Sequence, residues 1–325
     1  SSTQGTSFSC PITAGMCALI WSAHPEMSSA EVAALVQATC DDIDDLNPGY
    51  QGQLGAGRIN MLKALGDNEQ LVPQEFFEIQ DAINMASPGD VIKVRGDETL
   101  GLFSVVGKDL TVEGAYSADY ASRDIENNAT VIQATGASPG LEFYGDVTNT
   151  TVVDGFAIQG GGGRTFADIP YPGRYGGGIV ISNQSPTLRN LTLTGNSVGS
   201  SSELGCGGAI LLHNSGAVLE DIVVTGNTAT YGGGIFIYQG SPTLRRVTMD
   251  ANMVHDNHLA NPARGGGLHI LDADVTLEDV SATNHLDLVD GGGVYVGQVS
   301  APASVSWTGG VASGNTASGF GGGIN

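Results

Sequence analysis

In the second half of the chain, apolar residues fall in short alternating runs, each opened by glycines and closed by asparagine. Units open at Gly176-Gly177-Gly178-Ile179, Cys206-Gly207-Gly208-Ala209, Gly232-Gly233-Gly234-Ile235, Gly265-Gly266-Gly267-Leu268, Gly291-Gly292-Gly293-Val294 and Gly321, at spacings of 30, 26, 33, 26 and 30 residues. Each unit reads Gly triplet, β-run, turn, second β-run, then Thr-Gly-Asn or a relative, which aligns Asn196, Asn227, Asn252, Asn284 and Asn315 in one slot. From triplet to Asn the distance is 20, 21, 20, 19 and 24 residues, and from Asn to the next triplet 10, 5, 13, 7 and 6. Insertions therefore collect on one side of each coil, after the Asn. One such unit cannot bury its own apolar residues, but stacked units can, with parallel strands about 4.8 Å apart and Leu, Ile and Val turned inward. The pattern predicts an all-β right-handed parallel β-helix over 76–325, continuing past the last residue.

Upstream the period is helical. Pro11 fits the first turn of a helix running to Ala23 through Met16, Leu19 and Ile20, and His24-Pro25 breaks it. Ser28 and Glu31 form a capping box ahead of Val32, Leu35 and Val36. An acidic loop over 41–50 and Gly55-Ala56-Gly57-Arg58-Ile59-Asn60 lead to a short helix at 61–65. These helices have apolar faces but no sheet to cover them, so 1–66 is expected to be part of a larger α/β domain. Residues 67–75, polar and carrying Pro73, read as a linker. A short amphipathic helix at 76–86 then caps the β-helix, whose alternating runs begin at Val91. Both ends of the chain are expected to be cut from a longer polypeptide.

Composition narrows the partners. Among 325 residues, 34 acids face 12 bases, a formal charge of −22, which argues against nucleic acid or an anionic membrane surface. No apolar run reaches the ~20 residues of a membrane span. Such a surface fits an extracellular or cell-surface protein. Cys10, Cys17, Cys40 and Cys206 show no metal-ligand spacing, so burial, or one pair among the first three, is expected, with no metal and no cofactor.

One motif carries chemistry. Gly5-Thr6-Ser7-Phe8-Ser9-Cys10-Pro11-Ile12-Thr13-Ala14-Gly15 resembles the nucleophile segment of the subtilisin-like serine peptidases, and Pro25, the capped second helix, Asp42-Ile43-Asp44 and the segment 54–60 follow in that family's order. The resemblance covers 1–66, the C-terminal portion of a catalytic domain. It implies Ser7 as nucleophile and as backbone donor to the oxyanion, with Gly5, Thr6 and Pro11 in support, Gly5 letting the substrate carbonyl approach and Pro11 fixing the helix entry. The His, Asp and oxyanion Asn of such a site would precede Ser7 and are expected upstream. Phe8 departs from the more frequent Met. The substrate implied is a peptide or protein.

The repeats resemble the pectate-lyase-like β-helix proteins of bacterial surfaces, which implies a binding or stalk module with a glycan or surface ligand. A surface adhesin is the alternative function, and a polysaccharide lyase or hydrolase a third. For the last, Asp146, Asp154, Asp168, Asp287 and Asp290 are candidates, although no spacing singles out a pair. Asp41, Asp42, Asp44 and Asp45 lack EF-hand spacing and read as a solvated loop. The glycines at 160–163 lack the Lys-Ser/Thr of a phosphate loop. The six histidines read as surface or loop residues. If the coils share one register, Arg189, Glu220, Arg245 and Glu278 form an alternating charge ladder up one face.

Overall fold

The computed structural model describes the chain except residues 1–8, 42, 45–46, 67–68, 168, 170, 172, 201–202, 256–262, 287–289 and 318–320. The chain divides into two compact units, Ser1–Glu69 and Gln70–Asn325.

In the first unit, helix α1 (Ser9–Ala23) begins two residues ahead of Pro11, which sits in its first turn. Helix α2 (Ser29–Ala38) carries the complete capping box: Ser28 N–H donates to Glu31 Oε2 at 2.7 Å, and Glu31 N–H reaches Ser28 Oγ at 3.4 Å. Met16 and Ile20 of α1 bury against Val32 and Val36 of α2 and Ala64 of the short helix α3 (Met61–Ala64). The rest of α1 is apolar yet uncovered, with Ile12 56% and Leu19 49% exposed.

The second unit is a solenoid of three sheets with nine, eight and seven strands, visited in the same order by each coil. We call them the first, second and third sheets. In the first, Ile92, Val112, Val153, Leu188, Leu219, Leu244 and Leu277 stand in successive register, and all are buried. Ile132, Ile158, Leu193, Val224 and Met249 form the matching column of the second sheet. Phe103, Leu141, Ile179, Ile210, Ile235 and Leu268 do so in the third. One continuous core results. A helix α4 (Ile79–Met85) contributes Ile79, Ala82 and Ile83 to it, and Lys108 Nζ caps its last carbonyls, donating to Ile83, Asn84 and Ala86 at 3.0, 3.0 and 2.8 Å. Residues 69–75 are not simply a linker. Glu69–Val72 form the first strand of the nine-stranded sheet, because Val72 reaches the core.

The charge ladder is present in register. Arg189 pairs with Glu220 and Arg245 with Glu278, their atoms 3.2 and 2.7 Å apart, while Arg246 reaches Glu220 and Asp221 at 2.7 Å each. Below them Asp154 pairs with Arg189 in register, and Arg123 bridges Asp154 and Glu113.

Between the second and third sheets, a ladder of buried side chains links the coils. Asn196 Oδ1 accepts from Gly161 N–H, Asn227 Oδ1 from Asn196 N–H and Asn252 Oδ1 from Asn227 N–H, each at 3.0 Å. Each amide Nδ2 donates to a carbonyl of the preceding coil: Asn196 to Ile158, Asn227 to Leu193, Asn252 to Val224. The next rung corrects the expected alignment. It is His285, not Asn284, whose Nδ1 accepts from Asn252 N–H at 3.0 Å, and Asn315 Oδ1 accepts from His285 N–H at 2.9 Å. Asn284 takes the preceding place, which needs a positive φ (55° here) and is held by Gly195, Gly226, Ala251 and Gly314 in the other coils. The triplets pack against this ladder: at Gly208 a Cβ would collide with the carbonyl oxygen of Gly233 in the next coil.

The segments carrying Tyr171, Tyr175, Leu204, Cys206 and Tyr231 lay a second apolar layer on the outside of the third sheet's central strands. Tyr175, Leu211, Tyr231 and Phe236 are buried there with Cys206, and Tyr171 stacks on Tyr231 at 4.5 Å. The central strands of the third sheet are therefore buried on both faces, which their continuous apolar runs reflect, while Val106 and Tyr144 of its end strands stay exposed.

His285 yields a pH prediction. Burial pulls its pKa from 6.5 down to about 4, because desolvating the imidazolium outweighs the backbone hydrogen bonds of Asn252 and Met249 and the Asp250 carboxylate, which act the other way. The unfolded chain takes up this proton near pH 6.5 and the folded chain only near pH 4. His285 thus adds stability above pH 6.5 that is lost as pH falls toward 4, on the order of 3 kcal/mol. His285→Asn, which restores the amide rung, should flatten this part of a plot of Tm against pH and leave stability at pH 7 within about 1 kcal/mol. An unchanged acid limb would contradict the assignment.

Candidate functional site

The segment around the expected nucleophile is positioned by α1. Ser7, Gly5 and Thr6 lie outside the described residues; Ser9, the first described residue of the helix, has its carbonyl engaged by Thr13 Oγ1 at 3.0 Å. Pro11 and Ile12 are exposed, and a Cβ at Gly15 would meet nothing within 4 Å. The N-terminal turns of α1 thus present an open surface of small residues. Further along, Met16 and Ile20 pack the helix against α2.

A buried carboxylate, which the spacing of the acidic stretch does not single out, organises the rest of this unit. Asp41 is only 6% exposed and forms an antiparallel bridge to Arg58, with N–H to O distances of 2.8 and 2.9 Å. Its Oδ2 accepts from Arg58 Nη2 at 2.8 Å and Nε at 3.2 Å, and its Oδ1 from Asn60 Nδ2 at 2.9 Å. Asn60 Oδ1 in turn accepts from Lys63 N–H, starting α3. Asp44 Oδ2 accepts from Gly52 N–H at 2.7 Å. The acidic stretch is therefore a clasp rather than a solvated loop where it is described; Asp42 and Asp45 lie outside the described residues. A signal existed in the sequence, since Arg58 is the first Lys or Arg of the chain.

None of the described histidines stands as a base beside a nucleophile in the first unit. His24 follows the last residue of the 15-residue α1, about 22 Å from its start, and its Nδ1 lies 3.6 Å from Glu26. His213, His269 and His285 are buried in the solenoid, contrary to a surface role, and burial pulls the pKa of His269 down to about 3. His258 lies outside the described residues. His213 Nδ1 is 2.9 Å from Ser182 Oγ, a contact the strand register dictates, and its ring stacks on Tyr238 at 5.5 Å.

The carboxylates considered for glycan cleavage do not form a pair among the described residues. Asp154 belongs to the charge ladder, Asp146 sits in a turn at φ 47°, and Asp290 faces Arg264 at 3.8 Å. Asp168 and Asp287 lie outside the described residues. No cluster of three His, Cys, Asp or Glu able to hold a metal occurs among the described residues. Cys10 is exposed rather than buried, and Cys206 is buried.

Comparison with known proteins bears on the first unit. The profile of the Subtilase family matches residues 1–57. Two curated proteins, each named calcium-dependent protease, from Trichormus variabilis and Nostoc sp., are 41% identical to this chain over 66 residues. That alignment takes in 19% of this chain and 10% of each relative, so the chain spans about a tenth of the length of these proteins. No solved structure matches the chain. The N-terminal segment is subtilase-like, and the remainder is a parallel β solenoid.

The clasp can be tested directly. Asp41→Ala leaves Arg58 and Asn60 without their acceptor and should cost the first unit about 1–3 kcal/mol. Amide exchange should then accelerate across α1 and α2 while the solenoid core keeps its protection; equal protection in the variant would show the clasp to be dispensable.

Proposed function

We propose that residues 1–66 are the C-terminal part of a subtilisin-like serine endopeptidase catalytic domain and that the solenoid is a right-handed β-helix appended to it as a binding or stalk module. The observation that carries the reading is the subtilase match over 1–57. It is supported by Pro11 in the first turn of α1, the helix pair behind it and the Asp41–Arg58 clasp. In this reading Ser7 attacks the scissile carbonyl, its own N–H donates to the oxyanion, Gly5 and Thr6 shape the approach, and a His oriented by an Asp accepts the proton. The exposed apolar side of α1 is where the remainder of the α/β domain would pack. The protein acts on peptides or proteins, outside the cell or on its surface.

The relatives' names carry a calcium requirement. In this chain the described carboxylates of the acidic stretch are engaged by Arg58, Asn60 and Gly52, and we assign no calcium ligand among them.

The test uses two polypeptides. Residues 1–325 should cleave no peptide at an enzyme-like rate, because no described histidine stands beside the start of α1 as a base, and loss of a triad member costs up to ~10⁶-fold in subtilisin. A longer polypeptide that supplies the His, Asp and Asn should be labelled at Ser7 by a fluorophosphonate and should cleave peptides. Ser7→Ala should abolish both, with Ser9 unlabelled throughout. Cleavage that survives Ser7→Ala would remove the assignment.

A further inference from the structure

The histidines of the solenoid are not spread along it. His255, His258, His269 and His285 fall within residues 255–285, whereas the coils from Val91 to Asn252 hold only His213. Unsatisfied polar atoms gather in the same place. Of seven buried side-chain nitrogen and oxygen atoms without a hydrogen-bond partner among the described residues, five belong to His255, Arg264, His269 and His285.

His269 and His285 belong to one coil, and both are fully buried. His269 faces outward from the third sheet, in register between Phe236 and Tyr295. Its ring centre lies 5.4, 5.2 and 4.7 Å from those of Tyr231, Phe236 and Tyr295. Nδ1 donates to the Arg264 carbonyl at 3.2 Å, and Nε2 has no partner. His285 faces inward as the rung that accepts from Asn252 N–H, with its own Nε2 unpartnered against the glycine triplet, where a Cβ at Gly267 would collide with it. Few described groups could offset a charge on either ring. Beside His269 stand the phenols of Tyr231 and Tyr295 and the guanidinium of Arg264, which repels a proton there and faces Asp290 at 3.8 Å. Asp250 attracts a proton to His285, but Thr283 Oγ1 and Asn284 Nδ2 already engage it at 2.7 and 2.8 Å.

Both rings meet the coil that opens at Gly232, His285 through Asn252 and His269 through Tyr231 and Phe236. At the two preceding junctions the same corner is joined by amides alone, Asn196 to Asn227 and Asn227 to Asn252, which gain no proton in mild acid. Ion pairs do not distinguish the junctions, since Arg189–Glu220 and Arg246–Glu220 cross earlier ones as Arg245–Glu278 crosses this one. The two imidazoles do. Each coil of a solenoid rests only on its neighbours, so an end section can open by itself. We propose that this junction is an acid-sensitive seam: in acid the coils from Gly265 onward open, while those from Val91 to Asp250 stay stacked.

Opening gives both rings to water, where each binds a proton near pH 6.5. In the closed coil, burial keeps His285 unprotonated down to about pH 4 and His269 down to about pH 3. Their contribution to closure is therefore complete above pH 6.5 and fades as pH falls toward those values. Between pH 7.5 and 4.5 each ring shifts the balance toward opening by about 10²-fold, and the two together by about 10⁴-fold. Two rings in one coil localise the loss.

Hydrogen exchange of the 325-residue chain at pH 7.5 and 4.5, corrected for intrinsic exchange rates, tests the seam. Amides of Leu268–Leu271, Asp274–Glu278 and Ser281–Thr283 should lose roughly 10⁴-fold of protection, or all of it where it is smaller. Those of Thr187–Arg189, Thr192–Thr194 and Val218–Glu220 should lose less than about 10-fold. His269→Phe, which keeps the ring packing, and His285→Asn, which keeps the rung, should each restore about 10²-fold, and the double variant nearly all of it. Protection at pH 7.5 checks that each variant folds, and each imidazole has its own variant. Equal loss in every coil, unchanged protection at pH 4.5, or a loss in the double variant as large as in the parent would overturn the seam.

Discussion

The solenoid depends on how a buried backbone N–H is satisfied where the chain turns between sheets. At that corner the strand pairing stops, and each coil would leave a donor inside the core at a cost of about 1–3 kcal/mol. The amides of Asn196, Asn227 and Asn252 remove that cost by accepting from a backbone N–H of the coil before and donating to a carbonyl of that same coil. A side chain this short spans the gap only at the strand-to-strand separation. The ladder therefore holds the coil spacing, and the spacing leaves no room for side chains on the triplet glycines beside it. His285 shows the constraint to be one of geometry rather than of residue identity. Its Nδ1 replaces the amide oxygen, and the replacement makes one rung of the ladder sensitive to acid.

With the interior so constrained, variation is confined to the outside and to the loops after each rung. Those loops differ in length because nothing in the stack requires them to match. Where described, Tyr171, Tyr175 and Tyr231 lie over the central strands of the third sheet and bury them a second time. The first sheet is free to carry alternating charges, which fix register because a slip by one coil would set like charges together. The second sheet carries neither a charge ladder nor an aromatic cover. One scaffold thus presents three sides of different chemistry.

The first unit is built differently. Its two longer helices share a small core, and the segment after them is tied by one carboxylate that joins Arg58 and Asn60 across 17 and 19 residues. Such an arrangement holds the base of α1 still while the outward apolar side of that helix, with Ile12 and Leu19, stays uncovered.

By itself the sequence determined what local spacing controls. The glycine period set the coils, the S-x-x-E pair set the start of α2, and the residues after each inner Leu placed Arg189, Glu220, Arg245 and Glu278 in one line. The subtilase-like character of the first 57 residues was legible from the order of its motif elements. Other features depended on neighbours far along the chain. Asn284 and His285 differ by one position, and only the stacking of coils shows which of them turns inward. Asp41 reads as one acid among several until Arg58 and Asn60 meet it. Glu69–Val72 look polar, yet they join a nine-stranded sheet because Val72 has a core to enter. The cover over the third sheet arises from segments that carry no period of their own. In each case the deciding partner lies well beyond the reach of local spacing, and burial against it, rather than propensity, sets the outcome.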